Sequence, residues 1–176
     1  ISAGQTHTIA IKSNGTLWAW GWNYYGQLGD GTTIAKTAPI QIGTATNWQK
    51  VSTYFSHSLA IKTDGTLWAW GSNSSGQLGI NSTTNSLVPV QVGTANNWQS
   101  ISAGGQFTLA LKTDGTLWAW GDNFYTQLGL GLVTNQLVPT QVGTDNDWYM
   151  ISAGNNHSLA TKLSGPLYSW GSNSHG

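Results

Sequence analysis

Apolar and polar residues alternate in short runs along this chain. His7-Thr8-Ile9-Ala10-Ile11-Lys12 puts His7, Ile9 and Ile11 on one side of a strand and Thr8, Ala10 and Lys12 on the other. Asn14-Gly15 follows, and Asp64-Gly65 and Asp114-Gly115 stand in its place further on. Such pairs supply the positive φ of a two-residue type I′ turn, so a hairpin of that type is predicted at each. The returning strand, Thr16 to Trp20, directs Leu17 and Ala19 one way and Trp18 and Trp20 the other. Apolar groups on both faces predict burial between neighbouring sheets. Asn23 to Gly29 is a glycine-punctuated turn cluster. Ile40-Gln41-Ile42 alternates again, with Pro39 suited to the first residue of an edge strand. Trp48-Gln49-Lys50-Val51 opens the next strand.

Every one of these runs returns after 50 residues. Ser13 to Gly21 is matched by Thr63 to Gly71, by Thr113 to Gly121, and in worn form by Ser164 to Gly171. A strict period of this length marks a repeat architecture. The units are 1–50, 51–100, 101–150 and an incomplete 151–176, which form one propeller segment over 1–176. Each holds four short strands and no helical period, which describes one antiparallel blade. Blades apolar on both faces pack sheet on sheet around an axis. The predicted fold is therefore all-β, a partial β-propeller of about 3.5 four-stranded antiparallel blades. A parallel β-helix competes, but a coil of ~50 residues containing a hairpin is too long.

Four motifs stand in fixed order: Gly-x-x-His-[Ser/Thr]-[Leu/Ile]-Ala, Gly-Thr-Leu-Trp-Ala-Trp-Gly, Asn-x-x-Gly-Gln-Leu-Gly and Pro-x-x-Val. They are clearest at His57 to Ala60, Gly65 to Gly71, Asn73 to Gly79 and Pro89 to Val92. The whole chain resembles the regulator of chromosome condensation repeat family, in a bacterial-type form. The resemblance implies a ring of about seven blades, so the chain is expected to be an arc of a longer protein, as its start at Ile1 also suggests. Two copies do not supply equal numbers of each strand, which argues against a dimeric ring. Further repeats in the same or a neighbouring chain are the expected neighbours of its open ends. Local departures are Tyr54-Phe55 for a glycine-containing turn, Phe107 for His, Thr126 for Gly, and Pro166, expected to break the fourth hairpin.

Charge removes several functions. The chain holds six Lys and six Asp, with no Arg, Glu or Cys. No basic stripe exists to neutralise phosphates, so nucleic acid is not an expected partner. No apolar run approaches the ~20 residues of a membrane helix, so membrane insertion is not expected. A neutral surface of Ser, Thr, Asn, Gln and Gly suggests an extracellular or cell-surface location, as in a secreted bacterial or phage protein.

Catalytic constellations are lacking. His7, His57 and His157 repeat by period, and equivalent places in adjacent blades lie a sheet spacing of ~10 Å apart, too far to share a metal. Each ring is expected to satisfy a buried backbone group. His175 has no evident role. Asp64 and Asp114 belong to turns, and Asp145-Asn146-Asp147 matches turn positions of other units. Asp30 and Asp122 are isolated, so no carboxyl pair is set for glycoside hydrolysis. No serine has the Gly-x-Ser-x-Gly context. The chain is expected not to be an enzyme, and no metal or cofactor is expected.

Tryptophan carries the remaining signal. The family includes a plant ultraviolet-B photoreceptor with Gly-Trp-Arg-His-Thr repeats. The matching Gly4-Gln5-Thr6-His7-Thr8 lacks both Trp and Arg, so that activity does not carry over. Trp18, Trp20, Trp68, Trp70, Trp118 and Trp120 repeat by period and are expected in the core. Aromatics that break the repeat are different. Trp22 aligns with Ser72 and Asp122, Tyr24-Tyr25 with Ser74-Ser75 and Phe124-Tyr125, and Tyr54-Phe55 with small or polar residues. A group needed for every blade should recur in every blade. Trp22, Tyr24, Tyr25, Tyr54, Phe55, Phe124 and Tyr125 are therefore the candidate partner-binding residues. The expected function is a non-catalytic protein- or glycan-binding scaffold in a larger surface or secreted protein. A purely structural spacer in an adhesin or fibre, or an accessory domain of an enzyme, are the alternatives.

Overall fold

The computed structural model describes residues 1–174; His175 lies outside them. The described residues form strands and turns with no helix. The first sheet holds β1 (Ser2–Ala3), β2 (His7–Ile11), β3 (Leu17–Gly21) and β4 (Lys36–Gln41). The second holds β5 (Trp48–Thr53), β6 (His57–Lys62), β7 (Leu67–Gly71) and β8 (Ser86–Gln91). The third holds β9 (Trp98–Ala103), β10 (Phe107–Lys112), β11 (Leu117–Gly121) and β12 (Gln136–Gln141). The last holds β13 (Trp148–Ala153), β14 (His157–Lys162) and β15 (Leu167–Gly171). Strands pair antiparallel in chain order within each sheet. The first strands of successive sheets lie against one another. The outermost, β4, β8 and β12, form the sheet edges. This is an open arc of a β-propeller.

The hairpins close differently from expectation. Gly15 is left-handed (φ 78°), yet Asn14, Asp64 and Asp114 are not among the residues with positive φ. Gly15 N–H donates to the Lys12 carbonyl at 2.9 Å, and Lys12 N–H to that of Thr16 at 3.0 Å. This is a three-residue loop, a type I turn followed by a glycine bulge, not a type I′ turn. The Asn14 Oδ1 accepts from Thr16 N–H at 3.2 Å and from its hydroxyl at 2.8 Å. That side-chain bond holds Asn14 in a right-handed turn and leaves the glycine alone to take positive φ. Pro166 does not break the fourth hairpin. β14 and β15 pair throughout, from His157 opposite Gly171 to Thr161 opposite Leu167. Pro166 lacks the N–H that Thr16 gives to Asn14, but Ser164 has replaced the Asn or Asp acceptor there as well. Pro39 lies inside β4, on the sheet edge, where a missing N–H leaves no ladder bond unmade.

The core lies between sheets. Ile9, Leu17, Ala19, Leu28 and Ile42 of the first sheet pack against Trp48, Ala60 and Trp70 of the second, and later sheets repeat the arrangement. Trp70 and Trp120 are fully buried. Their indole N–H groups donate across the interface to the carbonyls of Gln27 and Gln77, both at 2.9 Å. Gly79 admits the Trp120 indole, since a Cβ there would stand 2.6 Å from its Nε1. The hairpin indoles at 18, 20, 68 and 118 are not sealed in the same way. Trp18, Trp68 and Trp118 are half-buried, because they sit towards the hairpin end, where lysine covers the ring. Lys62 Nζ lies 4.0 Å from the Trp68 ring centre, and the Trp68 indole donates to Thr66 Oγ1 at 3.0 Å. Trp20 is half-buried because it lies on the first sheet's open face, with no sheet before it.

The histidines also cross between sheets. His7 Nε2 meets Ser58 Oγ of the next sheet at 2.9 Å, and His57 Nε2 meets Thr108 Oγ1 at 3.1 Å. Each hydroxyl gives its proton to a backbone carbonyl, Ser58 to Gln27 at 2.7 Å and Thr108 to Gln77 at 2.9 Å. The histidine therefore reaches the backbone through a hydroxyl rather than directly. Because that proton is spent, Nε2 is the protonated nitrogen. Nδ1 of both rings is buried and has no hydrogen-bond partner among the described residues. Burial pushes the His7 ring down to about 4 and the His57 ring down to about 3. His157, on the open face of the last sheet, is exposed.

Candidate functional site

The meander puts two sets of connections at the same end of every blade: those from the first to the second strand of each sheet, and those from the third to the fourth. Hydrogen bonds tie them together. Trp22 N–H donates to the Thr6 carbonyl at 2.9 Å, Ser72 to Ser56 at 2.8 Å and Asp122 to Gln106 at 2.8 Å. Between sheets, Gln5 N–H donates to the Tyr54 carbonyl at 2.6 Å and Gly105 N–H to Asn155 at 3.1 Å. All seven candidate aromatics belong to these connections, so all lie on one rim.

The turn motif supplies the platform. Asn23 is buried, and its Oδ1 accepts from Leu28 N–H at 2.9 Å while Nδ2 donates to the carbonyls of Thr32 and Ile34. Asn73 and Asn123 repeat the role towards Leu78 and Leu128. Gln27, also buried, accepts from Tyr25 N–H at 3.0 Å, and Gln127 from Tyr125 N–H at 2.8 Å. The amides turn inward and hold the loop backbone, while residues 24–25 and 124–125 stay on the outside. The rings of Tyr24 and Tyr25 meet edge to face at 5.1 Å, and those of Phe124 and Tyr125 at 5.0 Å. Phe124 is 74% and Tyr24 66% exposed.

Tyr54 stands where the other sheets have glycine. A Cβ at Gly104 would lie 2.2 Å from the Phe107 ring, and one at Gly154 2.3 Å from the His157 ring. The turn bond that Gly4, Gly104 and Gly154 make to residues 7, 107 and 157 has no counterpart from Tyr54 to His57. Tyr54 and Phe55 are exposed.

Three of the seven come together. Phe55, Phe124 and Tyr125 line a cleft of about 420 Å³ with Gln106, Asp122, Asn155 and Asn156, at the meeting of the second, third and fourth sheets. Trp22, Tyr24, Tyr25 and Tyr54 lie outside it. The polar members escape a search confined to aromatics. Asp122 differs from Trp22 and Ser72, and Gln106 and Asn156 differ from Thr6 and Ser56. Testing polar positions for breaks in the repeat would find them. Asp122 Oδ2 accepts from Gln127 Nε2 at 2.6 Å, and Gln106 Oε1 accepts from Ser75 Oγ at 2.8 Å.

The other acidic groups are engaged. Asp30 pairs with Lys36 at 3.1 Å and accepts from Thr32 and Asn23, hydrogen bonds that hold its carboxyl below the usual range against the opposing pull of burial. Asp145 and Asp147 both pair with Lys162, at 2.8 and 3.0 Å, and raise its ammonium above the ordinary lysine range. Among the described residues, no three His, Asp or Glu side chains are grouped to hold a metal ion.

Known proteins resemble the chain in fold and in repeat. It is 45% identical over 42 residues to the ultraviolet-B receptor UVR8 of Arabidopsis thaliana, a match covering 24% of this chain and 10% of that one. Human WBSCR16 superposes with a TM-score of 0.85 at 28% identity, covering 97% of this chain and 46% of that chain. Prp20p of Saccharomyces cerevisiae superposes with a TM-score of 0.81 at 22% identity, covering 92% of this chain and 43% of its own. The chain thus spans less than half the length of these relatives. The RCC1-like domain family matches residues 1–176, and this chain, with its repeating indole-bearing blades, belongs to that family.

Proposed function

We propose that this chain is a protein-binding scaffold whose partner docks on the rim carrying the repeat-breaking aromatics. The observation that carries the reading is their placement. Positions 22, 24–25, 54–55 and 124–125 are spread along the sequence, yet every one lies on the same rim, and those at 22–25 and 124–125 sit on loops held from beneath by buried Asn and Gln. Rigid, exposed aromatics on fixed loops lose little entropy when a partner covers them. Prp20p, similar in fold, is described by its binding to Gsp1p and histones, which makes protein binding the first expectation. The opposite rim carries lysines already stacked on indoles. Those groups close the blades, and we assign them no partner.

A surface or secreted setting, a glycan ligand and further repeats at the open ends belong to the same proposal. The backward face of the first sheet, with Trp20, and the forward face of the last, with Leu167, have no sheet against them among the described residues. These are the faces that additional repeats would cover. Protein arrays and glycan arrays, probed with the chain and with a variant carrying serine at Tyr24, Tyr25, Phe124 and Tyr125, test the reading. A binder captures a discrete set of proteins, and the variant loses them. Capture of nothing by either protein would make the chain a spacer, unchanged capture by the variant would move the docking site away from these aromatics, and capture confined to glycans would replace the protein partner with a carbohydrate.

A further inference from the structure

We infer that the cleft among Phe55, Phe124, Tyr125, Asp122, Gln106 and Asn156 receives a basic side chain, an arginine above all, from a protein partner. The inference rests on the rim reading and specifies its chemistry. Asp122 is the charged residue among those lining the cleft. No lysine lines it: Lys12, Lys62, Lys112 and Lys162 stack over indoles or Tyr168 at the other end of the blades. Lys36 is paired with Asp30, and Lys50 bonds the Gln99 carbonyl. The cleft thus has a negative charge with no lysine among the described residues that line it.

The carboxylate is positioned rather than free to turn. Gln127 holds Oδ2, and Oδ1 takes no hydrogen bond from the described residues. Phe124 and Tyr125 stand at 84° to one another. Two ring planes at a right angle make a corner rather than one flat platform. A sugar stacks best on a single open ring face. A compact cation gains from a ring face and a nearby carboxylate together. Arginine suits the corner best, because its planar guanidinium stacks on a ring while its N–H fork meets a carboxylate and carboxamide oxygens. Asp122, Phe124 and Tyr125 share one loop, and Phe55 comes from the second sheet. The aromatic corner recurs at Tyr24-Tyr25, but Trp22 stands there in place of Asp122, so the carboxylate-bearing cleft belongs to one place in the arc.

Peptide titrations followed by amide NMR test the inference. The probes are acetyl-Gly-Arg-Gly-amide, its citrulline counterpart, which keeps the shape and loses the charge, and methyl β-glucoside. The arginine peptide should shift the amides of Gly105, Asp122, Tyr125 and Asn156. Citrulline should bind at least about tenfold more weakly, and raising the salt should weaken the arginine complex. D122N and F124S should each lose about tenfold, while D122E retains most of the binding. Both positions are outside the hydrophobic core, and an unchanged melting temperature would confirm that the variants fold. Equal binding of citrulline, full binding by D122N, shifts from the glucoside alone, or no shift with millimolar arginine peptide would each overturn the inference. The array experiment separates it from the rim reading. Partners captured by D122N but lost by the four-serine variant would leave the rim standing and remove the arginine pocket.

Discussion

Single residues show where one unit departs from its neighbours at a cost. Thr126 adopts φ 59°, a left-handed conformation that Gly26 and Gly76 fill in the other units. A side chain at Gly26 or Gly76 would also meet the next sheet's outer strand. A Cβ at Gly76 would stand 3.1 Å from both Leu137 Cα and the Gln136 carbonyl oxygen. Beside Thr126 the last sheet has no fourth strand among the described residues, so the threonine meets only the conformational penalty. Left-handed φ costs an ordinary residue roughly 1–2 kcal/mol. T126G should therefore stabilise the protein by about 0.5–1 kcal/mol, after the entropy of added glycine freedom is subtracted. G76T should destabilise it by more than about 2 kcal/mol, since backbone strain and a close strand act together. Urea unfolding measures both, and no gain in T126G would mean that its turn carries no strain. The substitution at 126 is plain in the repeat, but its tolerance depends on what lies beside it.

At the scale of the element, the interface between two sheets is a hydrogen-bonded and apolar joint containing a neutral histidine. The His7 and His57 rings titrate well below the ordinary value near 6.5 because burial opposes their charge. The unfolded chain consequently binds more protons than the folded one between about pH 6.5 and the lowered values. The stability present above pH 6.5 is lost as the pH falls through that window, by on the order of 3–5 kcal/mol per ring. The loss begins before carboxylates protonate, so it is separable from ordinary acid unfolding. The third sheet supplies the control, because Phe107 fills the histidine's place and Ser158 still donates to Gln127 at 2.7 Å. H57F should fold, and it should remove about half of the slope of stability against pH between 4.5 and 6.5. An unaltered slope would show that the buried ring does not govern this window. The histidine is evident in the sequence, but its partner is not. The hydroxyl it meets is 51 residues away, and only sheet stacking brings the two together.

Over the whole molecule, burial depends on position in the arc. Leu17, Leu67 and Leu117 are fully buried, whereas Leu167, at the same place in the last sheet, is 65% exposed. L117A should cost about 2–5 kcal/mol, as for a packed core leucine, and L167A less than about 1 kcal/mol. Equal costs in urea unfolding would mean that the last face is covered in solution, for example by another copy. The same graded protection makes β6 and β10, enclosed on both sides, the strands best shielded from solvent.

The all-β class, the strands, the 50-residue period and the placing of turns are all legible in the order of residues. Alternation and glycine punctuation are local signals that hold whatever surrounds them. Which indole of each pair is sealed, what each histidine bonds, and which three of seven aromatics share a cleft with Asp122 are settled only when the sheets stack. Those outcomes depend on groups from separate units meeting when sheets stack. A residue's own run determines which way it faces, whereas the neighbouring blade determines what it finds there.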